Sequence, residues 1–230
     1  KITNMEENIT PTKALELLKE GNQRFVNNTS KNRNLIEEAI KTSEGQKPIA
    51  VILSCLDSRS SADIIFDQPI GGVFSARVAG NIVNDDILGS MEFACAASTA
   101  KLVMVVGHTS CGAIKGACDD VKLGNLTGLL EKIQPAIDAV KKPTDPEERN
   151  GDNDKFVNKV TKKNVILTMD NIRKRSEILN NLEKEGKIII VGGVHDLSTG
   201  EINYIDQDGG YNVGSGRSEN NYRYDMGGSY

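Results

Sequence analysis

The chain has 230 residues, of which 38% are hydrophobic and 26% are charged, a balance typical of one globular domain and unlike that of disordered or membrane-spanning chains. With 28 basic against 32 acidic residues, the net charge of -4 disfavours a nucleic-acid or membrane partner and favours small-molecule substrates. Four cysteines are too few for a disulfide scaffold, so each thiol is a candidate for metal binding or catalysis.

The chain opens at Lys1 with a polar run. A leader removed upstream would make the protein periplasmic, and otherwise we expect a cytoplasmic protein, so the compartment stays open. Thr10 and Pro11 predict the start of an amphipathic helix, and a second helical piece is expected after Asn34.

Four short apolar runs predict buried strands, and they cover residues 49–53, 73–78, 102–106 and 188–191. Helical patterns separate them, including one stripe over residues 126–140 and a further helix over 155–185. Gly192 and Gly193 are expected to close the fourth strand, and residues 200–205 predict an added edge strand. The pattern predicts an α/β fold with a central, mostly parallel sheet of four strands plus that edge strand, flanked by helices.

The sequence divides into one catalytic domain, residues 1–206, and a tail, residues 207–230. The tail is rich in Gly, Tyr and Asn and has almost no aliphatic residues, so it cannot form a core alone. We predict a flexible tail, with packing on a neighbouring subunit as the alternative.

Two polar segments stand where a predicted strand ends. Cys55 follows the first strand, and His108 and Cys111 follow the third. Ligands of open parallel sheets bind outside the carboxyl ends of the strands, where the strand order reverses. Two thiolates and one imidazole suit tetrahedral zinc, and three protein ligands leave the fourth place open, as in catalytic sites. We therefore expect one Zn²⁺ per chain at these residues.

Three further residues are candidates for a fourth ligand. Cys118 lies about 10 Å along a helix from Cys111, too far to share the ion, and Cys95 falls in an apolar helical pattern. We interpret both as buried apolar side chains. His195 is either an ordinary buried histidine or a secondary group near the pocket.

Asp57 is the candidate fourth ligand that spacing favours. Residues two apart in an extended segment point to the same side, which puts Asp57 beside Cys55. It can ligate the metal itself. Alternatively, Arg59 holds the carboxylate off the metal in a bidentate pair and leaves an oxygen to accept from a zinc-bound hydroxide or water. Such a hydroxide would attack a small, uncharged electrophile, since Phe74 and Val78 give the pocket apolar walls.

At these residues the chain resembles the β-class carbonic anhydrases. The family's C-x-D-x-R segment is present as Cys55–Arg59, its H-x-x-C segment as His108–Cys111, and residues 74–81 are similar to its R-N-x-A-N segment. The similarity runs from about residue 10 to residue 206.

The resemblance implies a zinc lyase that hydrates carbon dioxide reversibly to bicarbonate and a proton. It implies zinc held by the two cysteines and the histidine, and an Asp57–Arg59 dyad that orients the nucleophile. Gln46 and Phe74 match the plant-like subgroup's glutamine, which donates to the substrate oxygen, and its pocket phenylalanine. Gly112, next to a ligand, suits a close approach of substrate to the backbone, and its N–H at the start of a helix favours an anion such as bicarbonate. The resemblance also implies protruding N-terminal helices that intertwine in a homodimer, which can pair into a tetramer.

The chain departs from the family pattern at two positions. Ser60 follows the arginine where many relatives have valine, and Phe93 replaces a usual pocket tyrosine. The chain has no tryptophan, which favours the plant-like subgroup with an accessible zinc over the bicarbonate-regulated one. Arg77 is assigned no catalytic role.

The same residues are compatible with two alternative functions. The electrophile can be a carbon dioxide analogue, carbon disulfide or carbonyl sulfide. Alternatively, the zinc is structural in a binding protein, with Asp57 or His195 closing its coordination.

Overall fold

The computed structural model describes residues 9–206 and 209–212. These residues contain a sheet of six strands: β1 (Ala50–Ser54), β2 (Val73–Arg77), β3 (Leu102–His108), β4 (Ile189–His195), β5 (Ile202–Ile205) and β6 (Tyr211–Asn212). Their order is β2-β1-β3-β4-β5-β6. The first four are mutually parallel, and β5 runs antiparallel to β4. The predicted fold class is therefore confirmed.

The tail prediction falls largely outside the described residues. Within the tail the structure describes only residues 209–212, where the short strand β6 pairs antiparallel with β5. The ordered sheet thus extends past Asp206, the predicted end of the domain, by this one strand.

Nine α-helices connect or flank the strands in the described part of the chain. They are α1 (Pro11–Val26), α2 (Leu35–Thr42), α3 (Ala62–Ile65), α4 (Asp85–Glu92), α5 (Gly112–Cys118), α6 (Gly124–Glu131), α7 (Gln134–Ala139), α8 (Asp154–Arg175) and α9 (Glu177–Lys184). Short 3-10 turns occur at Ala79–Asn81 and Pro146–Glu148, and α4 continues as one π-helical turn, Phe93–Ala97. None of the helices described has the length and apolar character that a membrane span requires.

The strand order reverses between β1 and β3. From β1 the chain moves outward to β2, and it then crosses back to β3 and continues to β4 on the other side. Adjacent loops at such a reversal leave a crevice at the carboxyl ends of the strands. β1 and β3 are paired in parallel, so their carboxyl ends meet at this crevice. Cys55 follows β1 there, and His108 is the last residue of β3.

Both faces of the sheet are covered by helices. On one face, Val165 and Met169 of α8 pack against β1, β3 and β4 in a continuous apolar cluster. On the other face, Leu18 of α1 and Phe66 after α3 pack against β1 and β3. A third cluster lies beneath the crevice and includes Cys55 and residues of α5 to α8.

The two N-terminal helices differ in packing. The Thr10 side chain caps α1, as predicted, and α1 buries Ala14 and Leu18 against its own domain. In contrast, α2 has no buried residue, and its Leu35, Ile36 and Ile40 are 59%, 69% and 66% exposed. The helix that extends from the core of this chain is therefore α2.

Two predicted boundaries are wrong. The apolar stripe over residues 126–140 is two helices, because Pro135 has no N–H to bond the carbonyl of Glu131 and the helix breaks between α6 and α7. Gly192 and Gly193 do not close the fourth strand but lie inside β4. A Cβ at Gly192 would approach Val165 Cγ1 to 2.6 Å, so glycine is what allows α8 to pack closely on the strand.

Candidate metal centre

Three ligand side chains meet at the crevice. Cys55 follows β1, His108 ends β3, and Cys111 immediately precedes α5. Their ligand atoms all lie within 4.8 Å of one another, and all three residues are buried. The structure therefore brings together the three residues that the strand-end pattern selected.

The orientation of His108 leaves one ring nitrogen facing this group. Nδ1 lies 2.9 Å from the carbonyl oxygen of Thr109, which fixes Nδ1–H as the donor and Nε2 as the atom with a lone pair. Nε2 is buried and has no hydrogen-bond partner among the described residues. A buried polar atom without a partner is costly, and a metal ion at the centre of the group would remove that cost.

The geometry of the two thiols fits a tetrahedral metal. Cys55 Sγ and Cys111 Sγ are 3.9 Å apart, and both cysteines are free. Two sulfurs each about 2.3 Å from one tetrahedral ion lie about 3.8 Å apart. Two thiolates and an imidazole match zinc chemically, and a group of three leaves one coordination place for a small molecule.

The two thiols share one proton in the absence of metal. The pKa of Cys55 is lowered to about 4; the largest cause is the hydrogen bond from Cys111, burial opposes it, and the hydrogen bond from the Gly80 N–H adds to it. The pKa of Cys111 is raised because the Cys55 thiolate accepts its proton and because the site is buried. A metal ion would replace that shared proton and stabilise both thiolates.

Asp57 and Arg59 form the bidentate pair that the spacing favoured. Asp57 Oδ1 accepts from the Arg59 backbone N–H at 2.9 Å and from Nε at 3.0 Å, and Oδ2 accepts from Nη2 at 2.7 Å. These hydrogen bonds from Arg59, opposed by burial, hold the pKa of Asp57 well below its usual range. Oδ2 lies 3.8 Å from His108 Nε2, so the oxygen with spare acceptor capacity faces the metal group.

Hydrogen bonds from Arg77 and Gly80 hold the Cys55 loop, and the sequence alone predicts neither residue's role. Arg77 Nε donates to the Cys55 carbonyl at 3.1 Å, and its Nη2 donates to the Asp57 carbonyl at 2.6 Å. The Gly80 N–H donates to Cys55 Sγ at 3.4 Å. The parallel pairing of Ser54 with Arg77 places Arg77 beside this loop, but that register cannot be read from one sequence.

Ser60 and His195 form a buried polar pair beside the centre. Ser60 Oγ lies 3.0 Å from His195 Nδ1, and His195 pairs with His108 across β3 and β4. The pKa of His195 is lowered to about 4, first because the imidazole is buried and second because His108 lies beside it. His195 is therefore neutral, and it is not part of the three-residue metal group. The hydroxyl at position 60, a departure from the family pattern, gives this imidazole its partner.

The three predicted substrate-binding residues lie at different distances from the metal group. Gly112 begins α5 next to Cys111, and a Cβ there would meet nothing within 4 Å, so space is open beside the metal group. Phe74 pairs with Val51, about 13 Å back along the strand from Cys55, and contacts Phe93 at 6.1 Å between ring centroids.

Gln46 precedes β1 and lies with Ile70 and Gly71 beside α2, beyond the amino end of the strand. The five residues of β1 separate it from Cys55 by at least about 16 Å. Within one chain the structure brings Gly112 to the centre but not Gln46 or Phe74.

The other two cysteines lie away from the group. Cys95 is buried in the apolar cluster against α8, as predicted, whereas Cys118 packs at the end of α5 and is only partly buried. Burial raises the pKa of Cys95 to about 12 and that of Cys118 to about 11, so both stay protonated.

Comparison with known proteins identifies the family. A family model described as carbonic anhydrase matches residues 50–202. Carbonic anhydrase 2 of Mycobacterium tuberculosis is 32% identical over 218 residues, which cover 90% of this chain and 98% of that protein.

Solved structures agree on the fold. The β-carbonic anhydrase CcaA superposes with a TM-score of 0.65 at 23% identity, covering 86% of this chain and 98% of CcaA. A tetrameric β-carbonic anhydrase from Sordaria macrospora superposes with a TM-score of 0.61 at 22% identity, covering 77% and 92% of the two chains. With this fold, the family match and the buried Cys-His-Cys group, the chain belongs to the β-class carbonic anhydrases.

Proposed function

We propose that this chain catalyses the reversible hydration of carbon dioxide to bicarbonate and a proton, with one zinc ion held by Cys55, His108 and Cys111. The observation that carries the proposal is the buried three-residue group with a carboxylate oxygen at its edge. When bound there, zinc supplies a Lewis acid that makes a nucleophile available from water at neutral pH.

Asp57 orients the nucleophile. Its carboxylate is ionised at neutral pH because Arg59 holds its pKa well below the usual range, so Oδ2 accepts a hydrogen bond and cannot donate one. Arg59 fixes the plane of the carboxylate through both oxygens. The carboxylate so held lies outside the three-residue group, which supports the subgroup with an accessible metal.

Gly112 leaves room for the substrate. It follows the ligand Cys111, and its position has no side chain to fill the space. A compact molecule such as carbon dioxide can approach the backbone there, and the backbone N–H can donate to a bicarbonate oxygen.

We infer that Gln46 and Phe74 act on the substrate of a second copy of the chain. Both lie more than about 10 Å along the strands from Cys55, which no side chain spans within one chain. The C-terminal end of α2 lies beside Gln46, and the exposed apolar residues of α2 suit the homodimer that the family resemblance implies. The dimer can further pair into a tetramer.

Coexpression of two inactive variants tests this arrangement. A Cys55→Ser chain and a Gln46→Leu chain should form mixed dimers in which one site has both intact residues, and hydration activity should return to a measurable fraction. If Gln46 acts within its own chain, the mixed dimer contains no intact site and activity stays low.

The proposed reaction is tested by stopped-flow carbon dioxide hydration on protein of known zinc content, before metal removal, after it, and after zinc is restored. Activity that is lost and regained with zinc is the expected result. One zinc per chain without hydration above the buffer rate would contradict the proposal. Hydrolysis of carbon disulfide or carbonyl sulfide by that protein would then identify an analogue hydrolase, and no reaction would indicate structural zinc.

A further inference from the structure

The turn Ala79–Asn81 has an unusual backbone that presents an N–H to the metal group. Gly80 has φ 67° and Asn81 has φ 42°, so two successive residues are in the left-handed region. This conformation aims the Gly80 N–H at Cys55 Sγ, 3.4 Å away. Left-handed backbone at a residue other than glycine persists only where surrounding contacts hold it.

Two side chains of α8 hold this turn from behind. Asn164 Nδ2 donates to the Gly80 carbonyl at 2.7 Å, and Thr168 Oγ1 lies 3.4 Å from the Asn81 carbonyl. Asn164 is 4% exposed and Thr168 is 3% exposed, so water does not compete freely for these carbonyls. The two residues lie one helical turn apart and therefore share a face of α8.

The turn cannot adjust freely on its other side. A Cβ at Gly80 would lie 2.7 Å from Ile133 Cδ1, which shows how closely the loop before α7 packs on it. The turn is thus held between Ile133 and Asn164, and the stronger of its two side-chain hydrogen bonds comes from Asn164.

We propose that Asn164 is a positioning residue for the Cys55 sulfur: it fixes the Gly80 turn so that the Gly80 N–H donates to Sγ. A thiolate that accepts an N–H hydrogen bond donates less charge to a bound cation, and its position is fixed more tightly. Asn164 is not a member of the metal group, so its effect on the sulfur passes through the turn. The inference rests on the proposed ligand set.

The test replaces Asn164 by two apolar side chains that cannot donate to the carbonyl, Asn164→Leu of similar size and the smaller Asn164→Ala. Asn171→Leu is the matched control, because Asn171 lies on the same helix and is exposed. Zinc affinity is measured by competition with a chromogenic chelator. The near-ultraviolet thiolate-to-cobalt charge-transfer band is recorded on the Co²⁺-substituted proteins, and thermal unfolding is recorded on the metal-free proteins.

We expect both Asn164 variants to bind zinc at least about tenfold more weakly than the wild type, because the loss of a fixed sulfur position outweighs the greater charge donation of the freed thiolate. Their cobalt band should move to lower energy, because a thiolate without the hydrogen bond gives up an electron more easily. The Asn171 variant should match the wild type in both measurements. If Asn164→Leu does not fold, Asn164→Ala gives the same comparison.

An Asn164 variant that is less stable without metal, but has wild-type zinc affinity and an unshifted cobalt band, would overturn the inference. That result would give Asn164 a purely structural role. A wild-type protein that binds no zinc or cobalt would instead contradict the proposed function, so the two failures are distinguishable.

Discussion

Asp57→Asn removes the charge of the dyad while keeping the size of the side chain. The remaining amide oxygen can still accept from the Arg59 backbone N–H, which is 2.9 Å from Oδ1 in the native chain. The lost ion pair is exposed on one side, since the Arg59 side chain is 56% exposed. We therefore expect a change in unfolding free energy of less than about 1 kcal/mol.

The effect on catalysis should be much larger. Oδ2 faces the metal group from 3.8 Å at His108 Nε2, and an amide NH₂ at that place would donate where the carboxylate accepts. Loss of a positioned acid–base group costs roughly 10²- to 10⁴-fold, so kcat/KM should fall by at least about 100-fold. Zinc content should stay at the wild-type level, because Asp57 is not in the three-residue group.

Stopped-flow hydration and metal analysis on the same samples separate the two effects. Asp63→Asn is the matched control, because Asp63 is a carboxylate that also accepts a side-chain hydrogen bond, from Ser75 Oγ at 2.9 Å, and it lies outside the metal group. A zinc-replete Asp57→Asn enzyme within about threefold of the wild-type rate would refute the role of the dyad, since the expected loss is far greater.

Three other changes test the ligand set and the packing. Cys55→Ser should weaken zinc binding by at least about tenfold and reduce hydration with it, and unchanged zinc content would show that Cys55 is not a ligand. Gly192→Ala should lower the unfolding free energy by about 1 to 3 kcal/mol in urea, because its Cβ would meet atoms of α8 at 2.6 and 2.9 Å. An unchanged midpoint of urea unfolding would mean that α8 moves away from the added Cβ without loss of stability. Burial raises the pKa of Asp67, but hydrogen bonds and charge from Arg24 and Arg33 prevail and lower it. The folded pKa is therefore below the unfolded value, and the stabilisation is present above about pH 4 and lost as pH falls through the folded pKa. The stability difference between the wild type and Asp67→Asn should shrink over that range in pH-dependent urea unfolding, and a constant difference would contradict the assignment.

Strand positions were predictable because four apolar runs, rich in β-branched residues, can be buried only in a covered parallel sheet. The exact ends were not, because glycine weakens a strand pattern whatever its tertiary role. Gly192 lies inside β4 because α8 packs on it, which is a long-range contact. The break before α7 was in principle readable from Pro135, but the apolar spacing continues through it and concealed the break.

The site was predictable to the extent that its chemistry lies in short segments. Cys55, His108 and Cys111 stand at strand ends, and parallel pairing brings strand ends together whatever the rest of the chain does. The supporting contacts depend on register and helix packing instead. Arg77 reaches the loop from a paired strand, and Asn164 reaches the Gly80 turn from a helix 84 residues away in sequence.

The distance along the chain between the ligands links metal binding to unfolding. Cys55 and Cys111 are 56 residues apart in sequence, so the unfolded chain has no preformed site and zinc binds it weakly. The sheet and its two large apolar clusters do not depend on the ion, so the metal-free chain should remain folded. Zinc then stabilises the folded state by mass action, and the melting temperature should rise steadily with free zinc above the dissociation constant. At a hundredfold excess of zinc over that constant, the unfolding free energy increases by about 2.7 kcal/mol. Zinc limitation would accordingly leave a folded reserve of inactive enzyme that regains function when the ion returns.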